Sequence, residues 1–213
     1  MNLNLKTLTM AFVTSLLIVS CKCDRGNVNS SPVVVENPDE EVTNSKIDSE
    51  GNYIYEIGNL FDLTLPNGMK LNVGENSTEN KIFKFLNDAN STVSEDKTVG
   101  WVTLDRVYFS TGKADLTDVS ETQIKNIVTI LEAFPSATVK IGGYTDNTGD
   151  AEINQKVSTD RAKTVTDRII TNGIDQSRIE SEGYGANHFV CAANDTDECR
   201  AQNRRVDIRV TKK

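Results

Sequence analysis

The sequence predicts an α+β sandwich in which a mixed sheet carries two main helices on one face, in the order β-α-β-α-β-β. A small N-terminal hairpin-and-helix extension precedes it. Three observations support this class. Short runs rich in β-branched and aromatic residues recur at 101–109, around Val139 and Ile141, at Ile179 and over 206–210. Two longer stretches between them repeat apolar residues at helical spacing, and glycine, proline or polar clusters separate the two kinds.

Taken in order, residues 101–109 form the first core strand, and Ser110, Gly112 and Lys113 turn the chain. A helix starts at Asp118 or Ser120, aligns Ile124, Ile127, Val128 and Leu131, and stops ahead of Pro135. Val139 and Ile141 make the next strand, and a crossover of this length suits parallel neighbours. The second helical stretch, 150–172, carries Ile153, Val157, Ala162, Val165, Ile169 and Ile170 and ends at Gly173, the usual residue for a left-handed cap. Ile179 lies on a short strand, a short helix covers 198–203, and Val206, Ile208 and Val210 alternate along the closing strand.

Residues 51–100 read as a small extension or subdomain. Phe61, Leu63 and Leu65, then Met69, Leu71 and Val73, flank Pro66-Asn67-Gly68 as a hairpin. Ser77 or Thr78 can cap a helix presenting Ile82, Phe85 and Leu86. Residues 21–50, with Pro32, Pro38 and an acidic run but no sustained period, read as a tether.

Residues 1–20 have the form of a secretory signal, with Lys6 ahead of an apolar run from Leu8 to Val19. Ile18-Val19-Ser20 before Cys21 resembles the lipobox of bacterial lipoproteins, which implies lipidation of Cys21 and membrane attachment through the lipid. Export places the body in an oxidising compartment. There Cys191 and Cys199 favour a short disulfide loop over a metal pair, because His188 is the chain's single histidine and the body has no second cysteine pair. The formal charge of −8 excludes a whole-surface attraction to nucleic acid, although basic residues gather near the end, from Arg200 to Lys213. No nucleophile elbow, zinc-ligand motif or catalytic constellation is present, so neither an enzyme, a metal nor a cofactor is expected.

Thr145-Asp146-x-x-Gly149, Asn154-x-x-Val157-Ser158-x-x-Arg161-Ala162, Gly183-x-Gly185 and Asn203-Arg204-Arg205 occur in that order. Together they resemble the OmpA-like peptidoglycan-binding domain, over residues 101–211 within a domain assigned to 101–213. The resemblance implies noncatalytic binding of the diaminopimelate residue of the peptidoglycan stem, with Asp146 and Arg161 gripping its charged amino-acid centre. Thr145, Asn147, Asn154 and Arg204 match positions near that ligand, Arg204 being preferred to Arg205. Joined to the lipobox at Cys21, this reading implies a lipoprotein tethering the outer membrane to the wall with its body in the periplasm; the alternatives are a protein-interaction module of an envelope complex and, more remotely, a wall hydrolase, and no protein partner is named by the sequence. Ser110 departs from the family, where many relatives carry aspartate, and Val157 replaces the commoner leucine.

An unbroken helix from Asp150 would carry Arg161 about 16 Å from its start, far from Asp146. A break near Val157 is therefore expected, with Ser158 capping a new helix and Arg161 in its first turn.

Overall fold

The computed structural model describes residues 46–109 and 114–213. The signal segment, Cys21, most of the tether and the turn containing Ser110 lie outside the described residues. The elements run β1 (Leu60–Thr64), β2 (Lys70–Gly74), α1 (Thr78–Asn87), β3 (Trp101–Thr103), α2 (Asp118–Ala133), β4 (Thr138–Gly143), α3 (Ala151–Thr171), β5 (Ile179–Gly183), α4 (Asp197–Asn203) and β6 (Val206–Lys212). A single 3-10 turn, Gln176–Arg178, leads into β5. This is the expected α+β class.

β1 and β2 pair antiparallel with Leu63 opposite Leu71, around the Pro66-Asn67-Gly68 turn in which Gly68 takes φ 84°. Ser77 caps α1 by accepting from the Asn80 amide, and Asp150 caps α3 by accepting from Glu152 and Ile153. Gly173, at φ 115°, closes the C-terminal end of α3 as expected.

The main sheet has the order β3-β6-β4-β5. β4 and β5 are parallel neighbours joined through α3, whereas β6 runs antiparallel to both β4 and β3. The expected adjacency of β3 and β4 is therefore corrected. The last strand enters between them, because Val206, Ile208 and Val210 pair with Gly143, Ile141 and Val139 and fill the same buried face. Against that face lie Ile124, Ile127, Val128 and Leu131 of α2, and Ala162, Val165 and Ile169 of α3, all within one apolar cluster that also takes in Leu63, Val73 and Ile82. Each such large side chain contributes ~1.5–3 kcal/mol as an upper estimate.

The strand expected over 101–109 ends at Thr103. Polar chemistry stops it. Asp105 turns inward to accept from the Thr78 amide at 2.7 Å, and Thr78 Oγ1 donates to the Thr103 carbonyl at 2.6 Å. Gln123 Nε2 donates to both Asp105 and Glu79, while Arg106 pairs with the same two carboxylates. These buried acids are thereby satisfied, and the network ties α1 and α2 to the end of β3.

Candidate functional site

Beyond the last paired residues of the sheet, three loop segments continue to hold one another. The Tyr144 amide donates to the Arg205 carbonyl, the Thr145 amide to the Gly185 carbonyl, and the Tyr184 amide to the Gly143 carbonyl, each at 2.9 Å. The loop leaving β4 is thus fixed before it reaches Asp146.

Asp146 is 7% exposed and uses both carboxylate oxygens. Oδ1 accepts from the Thr148 amide at 2.8 Å, forming an Asx turn, and Oδ2 accepts from Arg204 Nη1 at 2.7 Å. Asn154 Nδ2 donates to the Thr148 carbonyl at 3.0 Å and reaches the Asp146 carbonyl at 3.5 Å, which braces the turn from the first helical residues.

The expected break in α3 is absent. The helix is continuous through Ser158, so Arg161 lies in its interior and not beside free N-terminal amides. The helix lies elsewhere than expected, whereas the arginine still lines a cavity with Asp146. Residues 144–150 carry the chain past the sheet before α3 turns back over it, so the middle of the helix, not its start, meets the end of β4. Glycines permit that approach: a Cβ on Gly143 would sit 2.0 Å from the Ser158 carbonyl oxygen, and one on Gly183 would sit 2.4 Å from the Thr159 amide nitrogen. The Ser158 hydroxyl accepts from the Gly185 amide at 2.9 Å, which locks this crossing.

Consequently Arg161 and Asp146 line one cavity of about 400 Å³ despite their separation along the chain. Arg161 is 6% exposed and its guanidinium carbon lies 5.1 Å from the centre of the Phe109 ring. Burial, reinforced by repulsion from Arg204 and opposed by attraction to Asp146, lowers its pKa to about 10. It remains charged at neutral pH, and an anion beside it would relieve the cost of its burial.

Arg204 and Arg205 diverge, as adjacent residues entering a strand do. Arg204 lines the cavity, with Nη1 on Asp146 and Nη2 on the Gly51 carbonyl at 2.8 Å. Arg205 is buried, donates to Asp207 at 3.0 Å and to the His188 carbonyl at 2.9 Å, and stacks over Tyr144 at 3.9 Å, although it too reaches the cavity wall. Burial raises the Asp207 pKa against the pull of Arg205.

The remaining expected site residues do not face the cavity. Thr145 is buried with Oγ1 lacking a hydrogen-bond partner among the described residues, Asn147 is exposed, and Asn154 acts on the turn. Sequence reasoning missed Tyr108, Phe109 and Thr148, and it missed the wall made by Gly51, Tyr53 and Tyr55. Phe109 follows the Leu104 and Val107 pattern of a strand exit and could have been flagged; nothing in the spacing of 48–55 pointed to a loop 95 residues later.

Cys191 and Cys199 form a disulfide with a Cα separation of 5.2 Å. Asn203 accepts from the Val190 and Cys191 amides and donates to the Cys191 carbonyl, so the bridged loop is fastened to α4 one residue ahead of Arg204. Among the described residues, no cluster of three His, Cys, Asp or Glu could hold a metal ion. No helix among them is long and apolar enough to cross a membrane.

Residues 108–204 match the OmpA family. Over 102 residues, 48% of this chain and 46% of the relative, the sequence is 37% identical to the probable lipoprotein YiaD of Escherichia coli (strain K12). It is 38% identical over 102 residues, 48% of this chain and 31% of the relative, to the peptidoglycan-binding protein ArfA of Mycobacterium bovis. A solved structure, the peptidoglycan-associated lipoprotein from Burkholderia pseudomallei, superposes with a TM-score of 0.48 at 25% identity, covering 59% of this chain and 98% of that one. The chain spans less than half the length of these two curated relatives.

Proposed function

Because residues 108–204 carry the OmpA-like domain and its loops frame the cavity, we propose that this chain binds peptidoglycan, without catalysis, through the diaminopimelate of the stem peptide. The observation that carries the reading is the convergence of Asp146, Arg161 and Arg204 on one cavity of about 400 Å³. An amino-acid centre presents a carboxylate and an ammonium a few ångströms apart. Arg161 supplies the cation for the first, Asp146 the anion for the second, and Arg204 holds the Asp146 carboxylate in place. A ligand lacking either charge forgoes one of these two interactions, which is the physical basis of selectivity.

Relatives described as a probable lipoprotein and a peptidoglycan-binding protein support a place in the cell envelope. With lipid on Cys21, the chain would hold the outer membrane to the wall, its body on the periplasmic side. Incubation of the purified protein with isolated sacculi, followed by sedimentation, tests the binding. Wild type should pellet with the wall, and the double variant Asp146→Ala/Arg161→Ala should stay in solution; equal pelleting of both refutes this site. Labelling with a palmitate analogue, lost in Cys21→Ala, tests the anchor.

A further inference from the structure

We propose that the turn at residues 48–52, which precedes the OmpA-like domain, is a wall of the ligand site and positions Arg204, and through it Asp146. The proposal rests on the peptidoglycan reading given above. It starts from the fact that the site is built from two separate parts of the chain. Gly51, Tyr53 and Tyr55 face the same cavity as Asp146 and Arg161, yet all three lie more than fifty residues ahead of the matched segment 108–204.

The turn is constructed locally. Asp48 Oδ1 accepts from the Asn52 amide at 2.8 Å and the Glu50 amide at 2.9 Å, and Oδ2 accepts from the Asn52 side chain at 3.0 Å. The Asp48 amide donates to the Asn52 carbonyl and the Gly51 amide to the Asp48 carbonyl, both at 3.0 Å. A bridge between Ile47 and Tyr53 closes its base, and Gly51 takes φ 80°, which a residue with a Cβ adopts only under strain. A segment so closed upon itself presents its outward carbonyl in a defined direction.

That carbonyl belongs to Gly51, and it accepts from Arg204 Nη2 at 2.8 Å. The other arm of the same guanidinium, Nη1, donates to Asp146 Oδ2 at 2.7 Å. A planar guanidinium held at both outer nitrogens has one orientation, whereas an arginine side chain 34% exposed and held at one end samples several. The Tyr108 hydroxyl also reaches the Tyr53 carbonyl, at 3.4 Å, so the turn is tied to the domain at a second point. The chain of contacts therefore runs from Asp48 through the Gly51 carbonyl and Arg204 to the Asp146 carboxylate.

The test uses the full chain and calorimetric titration with a muramoyl tripeptide ending in meso-diaminopimelate. Asp48→Ala should weaken binding about fivefold, the scale of one ordinary hydrogen bond. Asp48→Asn, which keeps the oxygen that accepts the two backbone amides, should stay within about twofold of wild type. In an Arg204→Ala background, Asp48→Ala should add nothing, since the turn acts through that side chain; a turn needed only for folding would still cost affinity there. Unchanged or tighter binding by Asp48→Ala, in a protein whose Arg161→Ala variant loses binding, overturns the wall while leaving the site intact. An undiminished Asp48→Ala effect without Arg204 also overturns it. A wild-type chain that fails to bind the probe, or an Arg161→Ala variant that binds as wild type does, refutes the underlying reading, and the wall falls with it.

Discussion

Replacing Gly143 by alanine places a methyl group where α3 crosses the end of β4. Its Cβ would lie 2.0 Å from the Ser158 carbonyl oxygen, 2.9 Å from the carbonyl carbon and 3.3 Å from the Ala162 Cβ. A carbon and a carbonyl oxygen rest at about 3.3 Å, so the helix must retreat by roughly 1.3 Å. The obstacle is backbone, which no rotamer change can move aside. Overpacking costs ~1–3 kcal/mol, and this contact belongs at the upper end. For a domain of this size ~3 kcal/mol lowers the melting temperature by about 6–12 °C. Gly142→Ala is the control. Its Cβ would meet the outer atoms of the Trp101, Tyr184 and Tyr144 rings at 3.0 to 3.1 Å, and side chains can tilt, so a loss under ~1 kcal/mol is expected. Both variants share the entropic gain of alanine over glycine in the unfolded chain, which cancels in the comparison. Urea denaturation of the two proteins gives the answer. If Gly143→Ala is no less stable than Gly142→Ala, the close crossing of α3 over β4 is wrong, and with it the account of how Arg161 reaches the cavity.

Arg205→Ala removes the partner of a carboxylate that is 3% exposed, and a loss of ~3–5 kcal/mol is expected at neutral pH. Because burial already raises the Asp207 pKa, that loss should shrink as pH falls through the raised value and the acid becomes neutral; an undiminished loss in acid would refute the assignment. Opening the bridge with Cys191→Ser/Cys199→Ser should cost about 2.6 kcal/mol on the loop-entropy model, read by urea denaturation; no change would place the loop's stability in the Asn203 hydrogen bonds instead. Burial lifts the Asp48 carboxyl, but hydrogen bonds from the Asn52 side chain and from the Asn52 and Glu50 amides outweigh it and hold the pKa below the ordinary aspartate value. The contribution of Asp48 is therefore fully present above the ordinary aspartate pKa and fades only as pH falls through the lower folded value. Amide exchange at Glu50 and Asn52 should stay slow relative to unstructured chain at pH 5, and fast exchange there would contradict the turn.

Local signals were legible where one residue type has one physical reason to be present. Ser77 as a cap, Gly68 in the hairpin, Gly173 past α3 and the apolar stripe Ile124, Ile127, Val128 and Leu131 each took the structure expected of them. What failed depended on partners distant in the chain. The strand over 101–109 was cut short because Asp105 finds Thr78 and Gln123, and alternation in the sequence cannot register those contacts. The adjacency of β3 and β4 failed because β6 competes for the same edge with a better-matched apolar face. For the site, Asp146 and Arg161 stood out as a motif, but the distance argument assumed that α3 begins beside the turn. Gly143 and Gly183 were the signal that could have corrected it, since paired glycines at two strand ends permit a helix to cross there.

The electrostatics of the cavity yield a last prediction about what it should accept. The turn role of Asp146 and its proposed role facing the ligand use one carboxylate without conflict. Oδ1 holds the Thr148 amide and Oδ2 holds Arg204, so the group is already oriented and already neutralised in part. An ammonium adds to an existing pair. For Arg161, burial and the neighbouring Arg204 depress the pKa to about 10, and the attraction of Asp146 does not restore it. A carboxylate therefore gains more here than an ammonium does, and an amino-acid centre gains from both. Thermal melting at pH 7 with three probes of similar length separates these terms. Meso-diaminopimelate should raise the melting temperature most, pimelate, which keeps both carboxylates and lacks the amines, should raise it less, and cadaverine, which keeps the amines alone, least. A shift with cadaverine equal to that with pimelate would mean that the cavity is governed by Asp146 and not by the buried arginine.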